Sequence, residues 1–183
     1  MSSSSVLKTC VGACAVALFL SMAGDAVFAE KTPRDLNATT WTTAGMLKFS
    51  GSDVQNESAE AEGLFAFGAL PVPSIVGDFT MVLTYTSAGG PAELLVKGQY
   101  ALVKPGKPEF LVDRRALQEQ FEGDSYITDV DLKGTLKTVK DVETLQVDLK
   151  VKYEECAFDT KGKVRCQKTT LSYKGEGGIA PPS

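Results

Sequence analysis

The stretch from Val151 to Tyr173 constrains this chain more than any other. Leu145, Val147, Leu149, Val151 and Tyr153 alternate with Gln146, Asp148, Lys150, Lys152 and Glu154. A period of two marks a strand with one dry and one wet face. After Cys166, Lys168, Thr170, Ser172 and Lys174 alternate with Thr169, Leu171 and Tyr173. Setting Cys156 opposite Cys166 leaves a three-residue loop, Thr160-Lys161-Gly162, with glycine at the position that needs a positive φ. The same register sets Glu154 against Lys168 and Asp148 against Lys174 on the wet face. On the dry face it sets Val151 against Leu171 and Leu149 against Tyr173. A slip of one residue destroys both patterns. The stretch therefore predicts a long β-hairpin clasped on its wet side by a Cys156–Cys166 disulfide.

The start of the chain bears on that bridge. Lys8 precedes an apolar run from Val11 to Met22, and Val27-Phe28-Ala29 offers small or β-branched residues at a cleavage site. This predicts a secretory signal peptide over residues 1–29 and a single domain over residues 30–183. The apolar run is too short for a spanning helix, so no membrane association is expected once the signal is removed. Cys10 and Cys14 leave with the signal, and export to a secreted or periplasmic location favours oxidation of the remaining pair. The net charge of −4 lacks the basic footprint that nucleic-acid binding needs.

The rest of the domain reads as strands and turns. Residues 30–40 read as a loose polar arm. Trp41, Thr43, Gly45, Leu47 and Phe49 share one face of a first strand. Residues 51–62 read as an acidic loop carrying Asp53, Glu57, Glu60 and Glu62, with an apolar second strand over 63–70. Phe79, Met81, Leu83 and Tyr85 form an inward face. Leu94, Val96, Gly98, Tyr100 and Leu102 return after the Gly89-Gly90-Pro91 turn. Phe110-Leu111-Val112 suits a short strand. Asp113 as N-cap and Gly123 as C′ residue bracket one short helix near 114–122, with Leu117 and Phe121 docking it. Arg114 and Arg115 at its start oppose the helix dipole. Tyr126, Thr128, Val130, Leu132, Gly134 and Leu136 then share an inward face, and residues 175–183 read as a Gly/Pro tail.

About seven or eight strands with one helix predict an all-β antiparallel meander, a barrel or a sandwich. A Trp-bearing first strand, a meander and a late helix resemble secreted lipocalin-like barrels. That family's Gly-x-Trp signature is absent, since Thr39 stands in the place of its glycine, and its helix usually follows the last barrel strand. The resemblance transfers no binding residues.

The chemistry is bounded by what is missing. There is no histidine, which removes the Ser-His-Asp triad and histidine-dependent zinc sites. A cysteine pair in a bridge supplies no thiolate. No glycine loop with phosphate-binding spacing is present. Asp129 and Asp131, two apart, fall on one wet strand face. The expectation is a non-enzymatic protein with no cofactor and no metal. One reading is a barrel holding a small apolar ligand or lipid behind Trp41, Tyr100 and Tyr126. A second is a structural or interaction module of the cell envelope with a filled core. A third is an eight-stranded outer-membrane barrel, with apolar faces outward and polar residues in the lumen.

Overall fold

The computed structural model describes residues 36–51, 56–71, 74–87, 89–104, 106–121, 125–139 and 142–180. The expected signal, its cleavage site, Asp53 and Gly123 lie outside these residues. Eight antiparallel strands run β1 (Thr40–Gly51), β2 (Glu57–Phe67), β3 (Val76–Ser87), β4 (Gly90–Lys104), β5 (Lys107–Val112), β6 (Ser125–Val139), β7 (Val142–Phe158) and β8 (Val164–Ile179). A short helix, α1 (Arg114–Gln118), lies between β5 and β6. Each strand pairs with the next in sequence, and β8 returns to β1, so the sheet closes as a barrel.

Alternation decides which way each strand faces. Trp41, Leu47, Phe65, Met81, Leu83, Val96, Leu145, Leu149, Val151 and Tyr173 have no water-accessible surface at all. They come from β1, β2, β3, β4, β7 and β8, so side chains fill the barrel as they would any core. Each contributes roughly 1.5–3 kcal/mol by leaving water. Two plugs finish the ends. Leu36 is fully buried beside the start of β1, and Leu117 of α1 is fully buried beside β4 and β6. Inside, Thr43 Oγ1 lies 2.8 Å from the Tyr173 hydroxyl, which satisfies both. Among the described residues no buried side-chain polar atom lacks a partner.

Several expectations are corrected. The arm before β1 is not loose at Leu36–Thr39, where a turn seats Leu36 in the core. Residues 57–62 are strand rather than loop. Glu60 and Glu62 point outward while Ala61 and Gly63 point in, and these small inward groups hid the alternation. The helix stops at Gln118. The expected tail from Gly175 to Ile179 is the end of β8, paired with both β1 and β7. Its glycines make closure possible. A Cβ at Gly177 would collide with the backbone of Thr42, so only glycine lets the two strands approach this closely at the seam.

β5 is short, and the barrel wall above it is sealed by α1. Gln118 donates to the Ser125 carbonyl at 2.7 Å and accepts from the Ile127 N–H at 2.7 Å. Gln120 makes the matching pair with Leu95 on β4. Each side-chain amide stands in for the backbone amide of a missing strand.

Candidate functional site

The residues expected to meet a ligand are not brought together. Trp41 is fully buried, and its indole N–H donates to Thr39 Oγ1 at 3.0 Å. Thr39 therefore has a structural task in the place where a lipocalin signature has glycine. Tyr100 is also buried. Its hydroxyl donates to the Gly68 carbonyl at 3.0 Å, and its ring meets Phe67 edge-on. Tyr126 lies outside, 63% exposed. The cause is a β-bulge: Ile127 pairs with Tyr153 and Asp129 with Lys152, leaving Thr128 as an extra residue. The bulge reverses the phase, so Ile127 enters the core and Tyr126 does not. From Val130 onward the expected inward face of β6 holds. None of the four described concavities is lined by Trp41, Tyr100 or Tyr126.

The outer wall does not suit lipid. Lys48, Glu60, Asp78, Glu93, Asp131 and Lys150 all face outward and exposed, on six different strands. An outer-membrane barrel needs the opposite phase, and charge facing hydrocarbon near the midplane would cost about 2–4 kcal/mol per basic residue.

Two outer features remain. The first is the β7–β8 hairpin. Its ladder has the expected register, including Cys156 opposite Cys166, Glu154 opposite Lys168 and Asp148 opposite Lys174. The cysteines are bonded, with Cα atoms 4.0 Å apart. β6 stops pairing with β7 at Glu155, and β1 stops pairing with β8 at Thr169. Beyond those points no other described strand pairs with the hairpin, which reaches roughly 15 Å past the last paired residues. A two-stranded ribbon on its own is marginal in water, and the disulfide sits where support from the barrel ends.

Asp159 builds the tip. Its carboxylate accepts from the N–H groups of Lys161 and Lys163, each at 2.9 Å, and from Arg165 Nε at 3.1 Å. These donors hold its pKa below the ordinary aspartate value, the Lys163 backbone bond first. Gly162 takes φ 74°, as a loop closed on a glycine requires. The tip leaves Phe158 78% and Val164 59% exposed. Arg165 pairs with Asp159 and Lys168 with Glu154, whereas among the described residues Lys161 and Lys163 make no ion pair. Arg114, which opposed the helix dipole, donates to the Ile127 carbonyl at 2.8 Å and serves the wall.

The second feature is a row across five strands. Glu176 pairs with Ala44, Ala44 with Glu62, Glu62 with Thr84, and Thr84 with Glu93. Carboxylates alternate with small side chains. The neighbouring row is Thr42, Leu64, Val82 and Leu95. The small residues leave two adjoining concavities on this wall, of about 860 and 680 Å³, both lined by Ala44, Glu62, Thr84 and Glu93. Leu64 is 45% exposed beside them. Among the described residues Glu60, Glu62 and Glu93 make no ion pair.

Glu154 lies close enough to Cys156 and Cys166 to form a three-ligand group, but both sulfurs are occupied by the bridge. A thiolate donor is therefore missing from it.

The fold and its surface define a class: a closed eight-stranded antiparallel barrel with a filled core, a clasped projecting hairpin and an acidic outer concavity. No family model matches the chain, and no curated protein matches it either. A solved structure similar to it is a multidomain protein including DUF1735 from Bacteroides ovatus. The identity is 10%, the TM-score 0.28, and the match covers 75% of this chain and 55% of that one. A likeness of that size carries no functional argument.

Proposed function

We propose that this chain is an exported, non-enzymatic interaction module of the cell envelope or its surroundings. Its rigid barrel presents the β7–β8 hairpin to a macromolecular partner. The observation that carries this reading is the hairpin tip. It holds exposed Phe158 and Val164 at the base of a loop carrying Lys161 and Lys163, which make no ion pair among the described residues, in a geometry that a disulfide and Asp159 keep ordered. Exposed aromatic groups on a preorganised element lose little conformational freedom on binding, which is how interface anchors work. The leader-like sequence and the disulfide support export. The sealed surroundings of Trp41 speak against a small apolar ligand inside the barrel.

A photo-crosslinker placed at position 158, compared with one at the exposed, distant position 137, tests the reading in the native envelope fraction. Crosslinks to a defined product at 158 and not at 137 are expected. Equal labelling at both sites, or none at either, would remove the support. Fatty acids and isoprenoids should leave Trp41 fluorescence and the melting temperature unchanged. A rise in melting temperature would restore the ligand reading by mass action.

A further inference from the structure

We infer that the partner of the hairpin is a second copy of this chain, with the tip of one molecule seated in the acidic concavity of the next. This rests on the reading of the hairpin as an interaction element and names its occupant.

The argument is one of complementarity within a single sequence. The tip offers two ammonium groups, Lys161 and Lys163, that make no ion pair among the described residues, beside exposed Phe158 and Val164. The β1–β4 wall offers carboxylates at Glu60, Glu62 and Glu93 that make no ion pair among the described residues, beside exposed Leu64. Each surface has the charge the other lacks, and each has an apolar group to cover. Glu62 and Glu93 stand two strands apart, separated by Thr84, so about 10 Å lies between them. A two-stranded ribbon with its side chains is about that wide, and Thr84 leaves the gap low. The 860 Å³ concavity is a shallow depression open to solvent, with room for a small group of side chains to rest against it.

The contact must be made in trans. The ladder of β7 and β8 continues without interruption from Glu155–Gln167 to Phe158–Val164, and the bridge fixes it. The tip therefore points away along the strands. The row through Ala44 lies seven residues back from the end of β1 at Gly51, on the wall behind the tip. Tip and concavity are different surfaces, so the contact is heterologous. Repeated, it gives an open chain or a ring, according to the rotation between successive copies. A contact built on a few exposed charges and a small apolar centre is weak, quick to form and sensitive to salt.

Sedimentation of the purified, disulfide-intact protein tests this. The wild type should gain mean mass with concentration at about 20 mM salt and lose it at about 500 mM. A tip variant, Phe158→Ser with Lys161→Ser, should remain monomeric alone. So should a wall variant, Glu62→Gln with Glu93→Gln. All four positions are exposed, so both variants keep the wild-type melting temperature. Mixed in equal amounts, they should form a dimer and stop there, because one intact tip meets one intact concavity. A wild type that stays monomeric at low salt overturns the inference, as does a mixture that fails to pair or grows past the dimer. If the wild type is monomeric while the position-158 probe still captures another protein, the self-docking inference falls and the interaction reading stands. If that probe captures nothing, both fall.

Discussion

The ring of Tyr173 lies across Gly175, in the space a Cβ at position 175 would need, and from there its hydroxyl meets Thr43 at 2.8 Å. A tyrosine on β8 thus reaches β1 over a glycine on its own strand. Gly175→Ala would push the ring aside, break this bond and strain the core. A loss of about 1–3 kcal/mol is expected from the urea midpoint. Gly178→Ala, where a Cβ meets open space, should change it by less than about 0.5 kcal/mol. Equal effects would mean the seam does not depend on this contact.

The disulfide should matter locally more than globally. It closes ten residues of separation outside the barrel. Cys156→Ser with Cys166→Ser should therefore cost at most about 3 kcal/mol in global stability. Trypsin cleavage after Lys161 or Lys163 should accelerate more than tenfold. Unchanged cleavage would show that the ribbon holds without its clasp.

Acid should loosen the tip before the barrel. Asp159 has a pKa lowered by the Lys163 N–H, Arg165 and the Lys161 N–H. Its stabilisation is complete above the ordinary aspartate value, about pH 4. It is lost as pH falls through the lowered folded value. The protection of the Lys163 amide, measured against the exchange rate of an unstructured chain at the same pH, should fall over that window, and Asp159→Asn should weaken the dependence. A protection factor that does not change with pH would contradict this.

The bulge in β6 gives an inverted pair of outcomes. Ile127→Asp should unfold the domain, because it places a carboxylate in the core next to α1. Tyr126→Asp should be tolerated within about 0.5 kcal/mol. Thermal melts of the two variants decide it, and the reverse order would return β6 to uninterrupted alternation.

Gln118 and Gln120 should each guard a separate amide. Gln118→Ala should expose the Ile127 N–H to exchange and cost about 1–2 kcal/mol. Gln120→Ala should do the same for Leu95, at smaller cost because Gln120 is exposed. Exchange rates that do not follow this pairing would mean that water already satisfies those groups.

The hairpin could be read in advance because three independent patterns agreed on one register: apolar alternation, charge pairing and the cysteines. Tyr126 could not, since a bulge leaves no mark in the pattern of apolar residues. Gly175 and Gly177 looked like a tail because glycine usually signals a turn, yet here its missing side chain is what closure uses. Glu60 and Glu62 looked like a loop because their inward neighbours, Ala61 and Gly63, are too small to show alternation. The acidic row was invisible for a further reason. Glu176, Glu62 and Glu93 become neighbours only once the registers of five strands are known. Asp159 carried a legible signal, an aspartate three residues before a turn glycine, whose side chain can bond the loop amides.

Thr43 and Tyr173 are 130 residues apart, while every other strand pairing joins neighbours in the chain. The first stave to be synthesised is therefore the last to find its mate. Until β8 emerges, β1 can pair along one side only, and its other side offers free backbone groups to any extended segment nearby. Closing so long a loop is slow relative to zipping adjacent hairpins, so barrel closure should set the pace of folding.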